Sequence, residues 1–132
     1  MLTDLPALDR RRVHFLGPLA LADYRALLRR ATVHVYLTVP FVLSWSLIEA
    51  MATGAAIVAS DTAPVREAVR DGQEGLLAPF ASPEAIAGRI DEILSTENLR
   101  AGLSRAARMA ALTRYSRKSL LPQHVSVIRS TQ

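Results

Sequence analysis

The chain contains no cysteine, which excludes a disulfide framework and any zinc site built on thiolates. No pair of histidine or acidic residues stands at the spacing that puts two metal ligands on one helix face, so no metal is expected. Aromatic residues make up only 5% of the chain, too few for a platform that stacks single-stranded bases, and nucleic acid is not an expected partner. Lys118 is the one lysine, and arginine supplies every other cation. No apolar run approaches the ~18–20 residues a membrane span needs. The first residues carry Asp4 and Asp9 with no long apolar run behind them, so no secretory signal is read there. A reducing, cytoplasmic setting is the expectation.

What is present is a core. Of 132 residues, 50% are hydrophobic, enough for one domain over 1–132. Lys and Arg number 16 against 12 Asp and Glu, a net charge of +4. That tilt suits phosphate-bearing ligands or an anionic surface, and equally a solvated arginine-rich exterior.

The chain is organised around residues 40–54. Two apolar runs, Val33–Leu37 and Ala55–Ala59, flank it and read as buried parallel strands. Between them, Ser44 has the side chain that caps a helix N-terminus, and Gly54 suits the left-handed turn that ends one. A helix opening at the carboxyl end of a strand is a natural anion site. Glu49 returns near the face of Trp45 and Ser46.

In chain order, residues 1–12 read as an irregular lead. Val13–Leu16 reads as a short strand closed by Gly17-Pro18. Leu21, Tyr24, Leu27, Leu28 and Ala31 recur at helical spacing, giving a helix over 20–31. A strand over 33–38 runs into Pro40. After the strand at 55–60, Pro64 suits the first turn of a helix ended by Asp71-Gly72. Gly75–Pro79 reads as a fourth strand. Ser82-Pro83 starts a helix with Ile86, Ile90, Ile93 and Leu94 on one face, and a further helix covers 97–113. From Ser116 a helical tail is expected, with a break at Pro122. The fold class is therefore α/β: a partial Rossmann-like, three-layer domain of four short parallel strands, helices on both faces and extra C-terminal helices. Its core runs over about 13–115 and its tail over 116–132.

The run Leu47-Ile48-Glu49-Ala50-Met51-Ala52-Thr53-Gly54, followed by Ala55-Ala56-Ile57-Val58-Ala59-Ser60-Asp61, resembles the group 1 (family four) retaining, nucleotide-sugar-dependent glycosyltransferases. Val13–Gly17 resembles that family's V-x-F-L-G strand, Gly75–Pro79 its G-L-L-V-P strand, and Ser82-Pro83-Glu84 with Ile90 its following helix. The motifs occur in the family's order across residues 13–115. The resemblance implies the second, donor-binding domain of a two-domain GT-B enzyme, with a nucleoside-diphosphate sugar as donor and no cofactor or metal. It implies that Glu49 bonds the donor ribose, and a carboxylate can accept from two vicinal hydroxyls at once. It implies that the backbone N–H groups of Ser44, Trp45, Ser46 and Leu47 hold the diphosphate. Trp45 either lines that pocket or packs.

Two departures stand out. The family's first glutamate falls at Phe41, which can neither accept a hydrogen bond nor carry charge, and catalytic residues are unassigned. A full enzyme is also much longer. The implied partner is then an N-terminal acceptor domain, together with the opening strands of this one. The open sheet would close either by 13–17 repacking on 33–38 or by pairing with a second copy. Peripheral membrane contact of the whole enzyme is a further expectation. The alternatives are a pseudo-enzyme, a non-catalytic α/β interaction module and a receiver-like domain; the last lacks the expected acidic cluster.

Elsewhere, His14 and His34 read as core or strand-end histidines and His124 as solvated. Asp61 reads as a turn or cap residue before Pro64, Arg66 and Glu67 as surface pairs, and Arg100, Arg105 and Arg108 as a solvated helix face. Ser44 and Ser46 lack a nucleophile-elbow context.

Overall fold

A computed structural model of the chain describes residue 9 and residues 11–130; most of the lead expected at 1–12 lies outside them. The elements are α1 (Leu21–Arg30), β1 (Val33–Tyr36), α2 (Trp45–Thr53), β2 (Ala56–Ser60), α3 (Ala63–Ala68), β3 (Leu76–Ala78), α4 (Pro83–Ser95), α5 (Glu97–Arg114) and α6 (Arg117–Ser130). The strands pair in parallel in the order β1-β2-β3. Val33 stands opposite Ala56 and Val58 opposite Leu76.

Every residue of β2 is buried, because helices cover both faces of the sheet. Ile57 and Ala59 face one way, into a core built with Leu28 of α1, Leu47 and Met51 of α2, Val65 of α3 and Ala107 and Ala111 of α5. Ala56 and Val58 face the other way, against Ile93 of α4 and Leu103 of α5. This alternation within an unbroken apolar run is what a central parallel strand requires. Alanines at 50, 107, 110 and 111 are all buried, and their small side chains let α2 and α5 lie close. Arg108 donates to the Ala52 carbonyl at 3.1 Å, satisfying a free acceptor at the end of α2.

The sheet has three strands among the described residues. Of the four expected, the first, Val13–Gly17, is irregular, with Phe15 69% and Leu16 54% exposed. It also does not repack on β1, whose pairing is with β2 alone. The physical reason is that no strand among the described residues lies beside this run. A strand without a neighbour has no ladder to join. His14 is accordingly exposed rather than a core histidine, while His34 is half-buried and His124 exposed. Burial holds His34 below its ordinary 6.5.

β1 stops at Tyr36, earlier than the expected 38. The cause is Ser60, fully buried at the end of β2. Its hydroxyl donates to the Thr38 carbonyl at 2.8 Å and accepts from the Thr38 N–H at 2.9 Å. A side chain thus replaces the ladder and latches the loop after β1 to the sheet. α3 ends at Ala68, ahead of the expected Asp71-Gly72. There Asp71 accepts from the Leu77 N–H at 2.8 Å. A Cβ on Gly75 would meet the Ile57 carbonyl and the Val69 side chain, each at 2.9 Å, so only glycine lets the chain enter β3 so close to β2. α6 is helical through Pro122, without the expected break, and buries none of its residues.

Candidate functional site

The site forms where β1 hands over to α2. Ser44 is the N-cap residue of α2, extended at φ −82° and ψ 142°, and its Oγ accepts from the Ser46 N–H at 3.3 Å. Gly54 ends the helix in the left-handed region at φ 83°, its N–H reaching the Ala50 and Met51 carbonyls. Both helix boundaries match the sequence expectation. Because α2 follows a parallel strand, its positive N-terminal end faces the carboxyl edge of the sheet.

The four backbone N–H groups expected to meet a diphosphate are not equally available. Ser44 N–H donates to the Tyr36 hydroxyl at 3.0 Å, Ser46 N–H to Ser44 Oγ, and Leu47 N–H to the Ser44 carbonyl at 3.2 Å. That of Trp45 has no acceptor among the described residues. The Ser46 hydroxyl donates to Ser44 Oγ at 3.0 Å, which leaves the Ser44 hydroxyl proton to be offered outward.

Tyr36 was not singled out by the sequence. It is a buried strand-end tyrosine, and the signal is an alternating β residue with a polar tip at the carboxyl end of its strand. Tyr115 was missed too. With Leu43, Ser44, Trp45 and Ile48 it lines a cleft of about 120 Å³ over the start of α2, and its ring carries the Arg114 guanidinium at 5.9 Å. Trp45 lines this cleft while remaining 71% exposed.

Glu49 is exposed one and a half turns into α2. It lines a second cleft, of about 210 Å³, between α1 and α2, with Tyr24, Arg25, Leu28, Arg29, Ala52 and Thr53. Burial, then the facing Glu49 carboxylate, pushes the Tyr24 phenol above its ordinary 10.0. Phe41 is 72% and Val42 74% exposed on the loop before Ser44.

Asp61 does not cap α3. Its carboxylate is forked by Arg66, at 2.5 and 2.7 Å, and those hydrogen bonds, outweighing slight burial, hold it below its ordinary 3.8. Thr62 stands at the N-cap instead, without a side-chain cap bond. Arg66 therefore pairs with Asp61. In the Arg100, Arg105 and Arg108 set, Arg100 is only half-exposed and lies 3.7 Å from Glu97. No cluster of three or more potential metal ligands occurs among the described residues, and no helix there is long and apolar enough to cross a membrane.

A family model described as glycosyl transferases group 1 matches residues 7–110. The chain belongs to that family. Over 56 residues it is 43% identical to a phosphatidyl-myo-inositol mannosyltransferase of Mycolicibacterium smegmatis, a match covering 42% of this chain and 14% of the relative. Among solved structures, Anabaena HepE in complex with UDP and glucose superposes with a TM-score of 0.85 at 23% identity, over 92% of this chain and 33% of that one. Sucrose-phosphate synthase from Thermosynechococcus elongatus superposes at 0.79 with 26% identity, over 92% and 31%. The C-terminal domain of a glycosyl transferase group 1 family protein from Francisella tularensis does so at 0.67 with 21% identity, over 79% and 52%. The chain thus spans about a third of the first two of these solved chains. These likenesses establish the fold as that of GT-B glycosyltransferases.

Proposed function

We propose that this chain is the donor-binding portion of a retaining glycosyltransferase, which moves a sugar from a nucleoside diphosphate to an acceptor hydroxyl. The observation that carries the reading is the juxtaposition at α2: an unspent Trp45 N–H at the helix N-terminus, and a carboxylate, Glu49, one and a half turns along. A diphosphate at the helix end takes the Trp45 N–H and the Ser44 hydroxyl. To recruit the Ser44 N–H it must displace the Tyr36 hydroxyl, so that amide contributes least. Glu49 then accepts from the two ribose hydroxyls. That UDP and glucose occupy the HepE complex supports a nucleotide sugar as the ligand class.

The chain alone binds nucleotide weakly and transfers no sugar, because the acceptor half of the reading lies outside it. Calorimetric titration with UDP, GDP and ADP tests the proposal. Heat is expected with at least one of them, reduced by Glu49→Ala; silence from all three at millimolar ligand contradicts it. A second reading, a non-catalytic interaction module, draws on the exposed apolar trio Phe41, Val42 and Trp45 beside the site. It predicts no nucleotide preference and assembly with a partner chain.

A further inference from the structure

We infer that the Tyr36 hydroxyl is a phosphate donor of this site: it keeps the Ser44 N–H and gives its own proton to the diphosphate. β1 then grips the ligand together with α2. This rests on the reading of α2 as the diphosphate site and adds to it a side chain from another element.

A backbone N–H can only donate, so the phenol is the acceptor in the 3.0 Å bond between Ser44 N and the Tyr36 hydroxyl. Its own proton must go elsewhere, and no acceptor takes it among the described residues. Tyr36 is only 9% exposed, its ring fixed in the main core, so the hydroxyl is placed by packing. Other hydroxyl protons beside the start of α2 are spent. Tyr115 donates to the Glu67 carbonyl at 3.5 Å, and Ser46 to Ser44 Oγ at 3.0 Å. Those of Tyr36 and Ser44 remain. Both oxygens belong to or touch one residue, Ser44, whose side chain lines the cleft over the opening turn. With the unspent Trp45 N–H they make a set of donors at a helix N-terminus, which suits an anion. An amide that donates to a phenol also polarises its O–H and strengthens the bond that the phenol makes. The Ser44 amide therefore acts on the ligand through Tyr36 without leaving it. A tyrosine that merely occupied the Ser44 N–H would have the opposite effect, since its loss would free an amide for the ligand.

The test titrates the tightest of UDP, GDP and ADP into the whole chain and into Tyr36→Phe by calorimetry. The variant keeps the ring in the core and removes only the hydroxyl. It should bind the nucleotide about ten-fold more weakly, the size of one hydrogen bond to a charged group. Unchanged or tighter binding overturns the inference and leaves the diphosphate reading standing. A second measurement uses the unaltered chain and serves also if the variant fails to fold. Carbon NMR follows Cζ of Tyr36, which reports the hydrogen bonding of its hydroxyl, during the same titration. The signal should move in step with the Trp45 amide as the ligand saturates, a response that a merely structural tyrosine would not give. A Cζ signal that stays in place while the Trp45 amide moves rejects the contact whatever the variant does. Absence of nucleotide binding by the wild type overturns both the inference and the reading beneath it.

Discussion

Ala56–Ser60 and Val13–Gly17 are apolar runs of equal length in one chain, and they end in opposite states. The first is wholly buried between two layers of helices. The second lies irregular, with Phe15 and Leu16 open to solvent. Composition does not separate them. Ala56–Ser60 has β1 on one side and β3 on the other, while Val13–Gly17 has no neighbour among the described residues. A strand is a property of a pair, and an apolar run carries the capacity for it, not the structure itself.

The largest effect that would sharpen this contrast is truncation of the β2 core. Ile57→Ala should cost about 2–5 kcal/mol in urea unfolding, while Phe15→Ala should cost under ~0.5 kcal/mol. Comparable losses at the two positions would break the contrast.

Next comes Glu74, which ties the turn before β3 to α5. It is 1% exposed, held by the Arg70 side chain and N–H and by Arg114 at 3.0 Å. Burial pushes its carboxyl up, but the Arg70 hydrogen bonds and the two guanidinium charges outweigh that and hold it below 4.5. A lowered carboxylate stabilises the fold above its unfolded-state range, and that stability is lost as pH falls below about 4.5 through the folded value. Glu74→Gln should cost about 2 kcal/mol at neutral pH, less than a fully buried pair because both arginines reach water. It should also flatten the acid limb of the unfolding profile; an unchanged limb contradicts the role given to Glu74.

Ser44→Ala removes the α2 cap and should cost about 1 kcal/mol, where the uncapped α1 offers no such residue to lose. Smallest is Asp61→Asn. It opens a fork to Arg66, whose side chain is 65% exposed, and should change stability by no more than ~1 kcal/mol. A larger loss would mean that the loop after β2 is more rigid than its exposure implies.

The parts legible in the sequence were those set by local chemistry. Ser44, Gly54 and Ser82 mark helix ends because a hydroxyl or a missing Cβ does its work within a few residues, and all three stand where expected. The parallel sheet was legible because β2 is continuously apolar. What was not legible depended on partners distant in sequence. Ser60 reads as a strand end, and its latch on Thr38 is invisible without the fold. Tyr36 reads as strand, and its hydroxyl takes the Ser44 N–H that the motif assigns to phosphate. Asp61 reads as a cap until Arg66 reaches back to it. Glu49 was legible as a candidate; its neighbour Tyr24 read only as the apolar side of a helix.

The central claim is that the opening turn of α2 holds a diphosphate while Glu49 holds the attached ribose. Backbone amide NMR during titration with UDP or GDP tests it most directly. The account predicts the largest shift at the Trp45 N–H, with smaller ones at Ser46 and Glu49 and the least at Ser44, where the Tyr36 hydroxyl competes. Saturating nucleotide that leaves residues 44–49 unmoved, or moves only a surface elsewhere, would contradict it.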